Sequence, residues 1–283
     1  MFGKKKEKEA AYYLSETNMR VTNYRVYQMS RMEKILYTLI AFGAGAAVGY
    51  LFYGGLAKDV YGNATTVTYV LNILISSLVG LAAVKIAIPT IASSLKEKRT
   101  KELKNQFRDM LDSLATSLNS GKNVIDSFRS VEQDLRLQYE ENAYILYELQ
   151  VIMTGIHNNI DIETLLNDFG RRSGVEDIES FANVFQICYR QGGNLKQVIR
   201  NTHSIINDKM EIESEIKTMV ATNNMQQKIM IVVPIVLVAL IKSMSPEFAA
   251  NFATTTGILA TTFAIVMFVV AYFVGKKILE IRL

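Results

Sequence analysis

Apolar residues concentrate in two intervals, residues 35–92 and 229–275, while the stretch between them mixes apolar and polar positions as an amphipathic soluble protein does. A membrane crossing needs about 20 predominantly apolar residues to cover about 30 Å of hydrocarbon. Residues 35–57 and 257–275 meet that requirement without a single charge. Residues 67–84 are nearly as long, and Lys85 is placed to snorkel to the cytoplasmic edge while residues 86–91 continue the helix past Pro89. Residues 229–241 are shorter, but they extend through Lys242 and Met244 before Ser245-Pro246 stops them, with Pro234 as a kink site. Counting this segment as a crossing returns the basic C-terminus to the side of the N-terminus. The pattern therefore predicts helix pairs at about 35–57 and 67–91, and at about 229–244 and 257–275.

The interval 93–228 shows helical stripes and no strand alternation. Leu103, Phe107, Met110, Leu111, Leu114 and Leu118 make the first stripe, which stops at Ser120-Gly121. Asn123-x-x-Asp126 opens a second through Val124, Ile125, Phe128, Val131 and Leu135. A third runs through Tyr144, Leu146, Tyr147 and Val151 to His157. Asp161 is a candidate N-cap for a short fourth helix with Glu163 in its first turn, ending near Gly170–Gly174. Ile178, Phe181, Phe185 and Cys188 form the inward face of a fifth over residues 175–190. Gly192-Gly193 ends it, and Asn194-x-x-Gln197 reads as a capping box for a long sixth helix through Val198, Ile199, Ile205, Ile206, Ile212, Ile216 and Met219. The fold class expected is all-α: two transmembrane helix pairs flanking a six-helix cytoplasmic bundle.

Charge sets the orientation. The formal net charge is +4, but residues 93–228 hold 17 Lys/Arg against 20 Asp/Glu, so the basic excess lies elsewhere. It sits in a tail over residues 1–34, with Lys4, Lys5, Lys6, Lys8, Arg20, Arg25, Arg31 and Lys34, and in the C-terminal segment 276–283, with Lys276, Lys277 and Arg282. Both clusters abut apolar segments, so membrane topology accounts for them and no nucleic-acid partner is expected. Loops 58–66 and 243–256 carry almost no positive charge, which places both termini and the bundle in the cytoplasm and the protein in the cytoplasmic membrane as a multi-pass chain. The polar tail and the length of the first span argue against a cleavable signal peptide. Gly45-x-x-x-Gly49 offers close packing to another helix, although glycine is common in membrane helices.

The search for chemistry finds no catalytic residues, cofactor or metal to expect. Cys188 is the single cysteine, so an intrachain disulfide is impossible, and its apolar neighbours suit a buried, inert thiol. Gly121-Lys122 lacks the rest of a Walker A sequence. His157 and His203 have no acidic or cysteine neighbours at ligand spacing, and a phosphoacceptor role for His203 lacks a nucleotide-binding domain. Gly192-Gly193-Asn194 reads either as an anion nest or as a helix C-cap meeting an N-cap. Asp208, Glu211, Glu213 and Glu215 form one acidic patch, and Glu176, Asp177 and Glu179 another; each is either a solvated face or a dock for a basic partner.

Three stretches carry a family resemblance. Residues 107–128 (FRDMLDSLATSLNSGKNVIDSF) are similar to a first helical hairpin with a small-residue turn, residues 190–199 (RQGGNLKQVI) resemble a glycine-pair turn into a last helix, and residues 227–234 (QKIMIVVP) resemble the entry to the following membrane helix. Over about residues 100–275 the chain resembles the type II secretion system F family, in the TadB/TadC type of tight-adherence and type IV pilus assembly. Its single bundle after two spans departs from F proteins with two bundle domains. The resemblance implies a non-enzymatic platform protein of the inner membrane that couples a cytoplasmic secretion ATPase to insertion or extraction of pilin subunits. It also implies assembly with itself or a homologous F-family partner in the lipid bilayer. On that reading the contact candidates are the turns Ser120, Gly121 and Lys122, and Gln191, Gly192, Gly193 and Asn194, with Asp208, Glu211 and Glu215 on the sixth helix. The alternative is a transporter or permease subunit, against which stands the scarcity of polar residues in the spans, only Asn72, Lys85 and Lys242.

Overall fold

The computed structural model describes residues 12–14, 20–57, 63–244 and 246–279, and it is mostly helical. Packing divides the chain into two units, one of Met29–Ile91 with Glu213–Leu283 and the other of Met1–Gln28 with Ala92–Ile212.

The first unit holds α1 (Arg31–Tyr53), the N-terminal half of α2 (Thr66–Asn119), the end of α7 (Leu195–Met244), α8 (Pro246–Asn251) and α9 (Thr255–Leu279). Among the described residues three helices are long and apolar enough to cross a membrane, and the apolar stretch Val232–Met244 is shorter. Such helices, with Leu39, Leu81 and Phe263 more than 60 % exposed, mark a membrane protein. The helix that covers most of the first span expected at 35–57 runs from Arg31 to Tyr53. A capping box sets its start: Ser30 Oγ accepts from the Glu33 N–H, and Glu33 Oε2 accepts from the Ser30 N–H at 2.8 Å. At the other end the Gly54 N–H donates to Tyr50 O at 2.7 Å, and Gly55 takes a positive φ of 91° that a side chain would resist. The α2 helix begins where Thr65 and Thr68 hydroxyls both donate to Ala57 O, at 2.9 and 2.7 Å.

The Gly45/Gly49 pair meets α2. A Cβ on Gly45 would lie 2.6 Å from Ala83 Cβ and 3.0 Å from Gly80 Cα, and one on Gly49 would lie 3.1 Å from Val79 Cβ. The small residues on both helices let the backbones approach to where dispersion contacts are dense.

The second unit is the bundle. Its elements are the C-terminal part of α2, α3 (Val124–Gln138), α4 (Tyr144–His157), α5 (Ile162–Ser173), α6 (Glu176–Gln191) and the N-terminal part of α7. The α2 stripe from Leu103 to Leu118 is buried throughout, and Phe107 packs edge-on against Phe169 and Phe181. The Asn123 side chain caps α3 by accepting from the Asp126 N–H at 2.8 Å. No side chain caps α4 at Ala143; instead Gln106 Oε1 of α2 accepts the Ile145 N–H at 3.0 Å, satisfying a donor that the helix leaves orphaned. Asp161 stands at the N-cap of α5 but makes no side-chain cap bond, and Gly174 ends that helix at a φ of 67°.

Several expectations need correction. The first 34 residues are not simply a basic tail: β1 (Tyr12–Leu14) pairs antiparallel with β2 (Arg20–Thr22), and Val21 and Tyr24 are fully buried in the bundle. Lys4, Lys5, Lys6, Lys8 and Arg282 lie outside the described residues, as do the side chains of Lys276 and Lys277. The core face of α4 is Ile145, Leu146, Leu149 and Ile152, so of the expected stripe Leu146 is buried while Tyr147 and Val151 are not, because α4 is apolar on most of its circumference and its periodicity is ambiguous. Ile205 and Ile212 of α7 are more than half exposed, and among the described side chains of that stripe Ile199 and Ile206 are the buried ones, while that of Met219 lies outside the description. Cys188 is half-buried, its thiol 3.2 Å from where a Cβ on Gly193 would stand.

Candidate functional site

The two polar turns are built by glycine in positions that a side chain would strain. In the first, Gly121 has a φ of 92° and its N–H donates to Leu118 O at 3.1 Å, while Ser120 Oγ donates to Ser117 O at 2.7 Å. Lys122 reaches along α3 to donate to Ser130 Oγ at 2.6 Å. In the second turn each glycine has its own reason. Gly192 adopts a φ of 72°, and Gly193 lies so close to α6 that a Cβ would meet the Cα, Cβ and Sγ of Cys188 at 3.2 Å. The Gly193 N–H donates to Cys188 O at 2.8 Å, spending on the helix C-terminus a donor that an anion nest would need. Asn194 caps α7, its Oδ1 accepting from the Gln197 N–H at 3.2 Å, but the reciprocal half of the box is missing because Gln197 Nε2 donates to Asn201 Oδ1 instead. All seven residues of the two turns are exposed.

Phe128, one turn into α3, packs edge-on to Phe185 in the second half of α6, with centroids 6.4 Å apart, so both turns stand at one end of the bundle. The opposite end is held by Asp177, which pairs with Lys104 at 3.4 Å and also with Lys209. Asp208 adjoins Lys209. The structure thus separates the contact candidates: the turn at Asn194 and the acidic stretch from Asp208 are 14 residues apart on one helix, about 20 Å at 1.5 Å per residue. Among the described residues Asp208, Glu211 and Glu215 are exposed and make no ion pair. The other acidic patch is not a free face: Asp177 is engaged as above, and Glu179 binds Arg25 at 3.3 Å, leaving only Glu176 of the three fully in solvent.

The most heavily buried polar constellation is one that motif reading missed. Arg172 of α5 donates to both oxygens of Glu148 of α4, at 3.0 and 2.8 Å, to Asp168 Oδ2 at 2.7 Å, and to the backbone carbonyl of Thr22 at 2.9 Å. The Tyr24 N–H returns a bond to Arg172 O at 3.0 Å. Burial alone would lower the guanidinium pKa, but the charges and hydrogen bonds of Glu148 and Asp168 outweigh it and raise it. Burial, reinforced by the Glu148 carboxylate, likewise raises the Tyr24 phenol and keeps it protonated. The Arg99 guanidinium lies 4.6 Å over the Tyr24 ring and 5.2 Å over that of Tyr144. This cluster is a clamp that fixes the segment at residues 20–28 to α4 and α5. Its signal was in the sequence: Glu148 falls on the stripe with Ile145 and Ile152, and Arg172 on the stripe with Leu165 and Phe169, two opposite charges at core positions.

Within the first unit, two of the three polar residues expected in the spans tie off helix ends. Asn72 Oδ1 accepts from the Gly55 N–H at 3.0 Å, and Lys242 Nζ donates to Leu51 O at 2.6 Å and lies 4.9 Å from the centre of the Phe252 ring. His157 closes α4 and His203 lies within α7; among the described residues no group of three or more His, Cys, Asp or Glu side chains is placed to hold a metal ion. Compared with protein-family models, with curated proteins and with solved structures, the chain matches none of them.

Proposed function

We propose that the protein is a non-enzymatic platform of a type II secretion or Tad-like pilus assembly machine in the cytoplasmic membrane, coupling a cytoplasmic secretion ATPase to pilin insertion or extraction. The observation that carries this reading is the pairing of membrane-length apolar segments with a bundle whose polar positions are spent on structure. The buried carboxylates of Glu148 and Asp168 are both paired with Arg172, and the glycine turns close helices. What the bundle leaves for a partner is surface: the turns at Ser120–Lys122 and Gln191–Asn194 at one end, and Asp208 and Glu211 near the other, with Glu215 following on the same helix. A protein of this kind works through contacts, and a basic ATPase surface is complementary to the acidic face.

On this reading the chain crosses the membrane as two helix pairs, with Val232–Met244 as the shortest crossing and both termini in the cytoplasm. The ATPase engages the bundle and displaces it, and the span pairs pass the displacement to pilin helices in the bilayer. Assembly with itself or with a homologous F-family protein completes the pilin path. The transporter alternative finds less support, because Asn72 and Lys242 are occupied with backbone groups at helix ends rather than facing a solute path.

The test is affinity purification of the tagged protein from native membranes in mild detergent. A secretion ATPase and pilus components should come with it, and charge reversal of Asp208, Glu211 and Glu215 to Lys should reduce ATPase recovery at least fivefold. Recovery of a solute-binding protein or a transport nucleotide-binding subunit in their place would reject the reading.

A further inference from the structure

Lys85, the third polar residue expected in the spans, lies deeper than its place in the sequence suggests. The Gly55 N–H donates to Asn72 Oδ1 at 3.0 Å, a Cβ on Gly49 would stand 3.2 Å from Ser76 Cα, and one on Gly45 would stand 3.0 Å from Gly80 Cα. The first span and α2 are therefore antiparallel, with Gly55 beside Asn72, Gly49 beside Ser76 and Gly45 beside Gly80. Continued residue against residue, this register puts Lys85 level with Ile40, and Ile91 level with Lys34. Residues 35–53 of α1 carry no charge and are about 28 Å long, the depth of a hydrocarbon core of about 30 Å. Lys85 thus stands six residues, about 9 Å, inside the edge that Lys34 marks. Its four-carbon stem falls short of that edge. The Cα–Cβ bonds of a helix also tilt towards its N-terminus, which in α2 points away from it. Both facts work against the snorkelling expected from the sequence. Among the described residues Lys85 is exposed and makes no hydrogen bond or ion pair.

The position of Lys85 on α2 indicates what answers its charge. Leu71, Leu74, Leu78, Leu81, Lys85 and Ile88 follow one another by alternating threes and fours, the spacing of a coiled-coil seam. At about 100° per residue the seam is centred about 180° from Ser76, Val79, Gly80 and Ala83, which face α1. Leu74, Leu78 and Leu81 on it are exposed. An apolar seam alone selects little in a bilayer, because lipid tails are as apolar as leucine. An ammonium at a seam position does select, because its cost in hydrocarbon is offset by pairing with a charge of opposite sign. The apolar segments of this chain, at residues 35–57, 67–91, 229–244 and 257–275, contain no Asp or Glu, so a second copy would bring another lysine and no carboxylate. We infer that the Lys85 seam of α2 docks a transmembrane helix of a different protein, one that carries an Asp or Glu within its apolar span and sets it against the Lys85 ammonium. The inference rests on α1 and α2 lying in a bilayer and is independent of the pilus reading.

The test places a photoreactive residue in the full-length protein in native membranes, at Leu81 on the seam and, separately, at Ile73 and Ile86, which are exposed and lie off it. Illumination should give a polypeptide adduct from Leu81 at least fivefold above the other two, and mass spectrometry should identify a protein with a carboxylate inside a membrane span. Lys85→Leu, which suits a helix facing lipid and spares the fold, should lower the Leu81 adduct at least fivefold. Lys85→Arg keeps the charge and should retain at least half of it. Adducts with phospholipid alone would assign the ammonium to a headgroup phosphate and overturn the inference. So would a second copy of this chain captured at Leu81, a partner whose span is free of Asp and Glu, or an adduct indifferent to Lys85→Leu.

Discussion

Arg172 and Glu148 meet through two parallel hydrogen bonds of 3.0 and 2.8 Å, and neither side chain is more than 1 % exposed. A bidentate pair so buried has left water on both sides, and its stability depends on both members being present. Glu148→Leu leaves a buried guanidinium with Asp168 alone and should cost about 3–5 kcal/mol. The double variant E148L/R172M removes the bidentate pair but leaves Asp168 without its guanidinium, so it should cost less than the sum of the two single variants. Denaturant unfolding of the detergent-solubilised chain, followed by circular dichroism, measures both; additive losses in the double variant would contradict the coupling.

The glycines of α1 provide a paired comparison. A Cβ at Gly45 would sit 2.6 Å from Ala83 Cβ, whereas a Cβ at Gly43 meets nothing within 4 Å. Gly45→Ala should therefore force α1 away from α2 and cost about 1–3 kcal/mol, as overpacking does. Gly43→Ala should be neutral or slightly stabilising. Thermal unfolding in detergent reads the difference, and equal effects would mean that the two helices do not pack through this seam.

Tyr139 gives the pH dependence. Burial, with its hydrogen bond to Asp109, pushes its phenol up to about 12 from an ordinary 10.0. The folded state therefore holds the proton more tightly than the unfolded chain does, so this contribution is complete below pH 10 and is lost as pH rises towards 12. The buried Tyr24 phenol, raised in the same direction, adds to the loss. Solvent screens the half-buried Tyr139, so its share is small. Tyr139→Phe should flatten part of the decline in unfolding midpoint between pH 10 and 12; an unchanged slope would assign the decline to other groups.

Much of this architecture was legible because it is written in local periodicity. Leu103 to Leu118 repeat by threes and fours on a helix whose other face is charged, and Gly121, Gly174 and Gly192 stand where helices need a left-handed residue to stop. What escaped depends on contacts distant in sequence. Tyr24 lies in a polar segment with no long apolar pattern, and its contacts with Arg99, Tyr144 and Arg172, all distant in sequence, place it in the core. In α4, apolar residues on almost every face blur the stripe, so its true inward side is set by its neighbours and not by its own sequence. The candidate site was legible as turn chemistry at Gly192 and Gly193. That Asp177 and Glu179 are consumed by Lys104, Lys209 and Arg25 was not, because charge pairing across helices leaves no periodic trace.

If a secretion ATPase grips this bundle, as proposed, site-directed photocrosslinking in native membranes will capture it there. A photoreactive residue is placed at Lys122 or Asn194 at one end and at Asp208 near the other. An adduct with the cytoplasmic ATPase is expected from at least one of these positions, and the position that gives it identifies the motor-facing end. Absence of any ATPase adduct from all three positions in cells that express the ATPase, or adducts with a transport nucleotide-binding subunit instead, would contradict it.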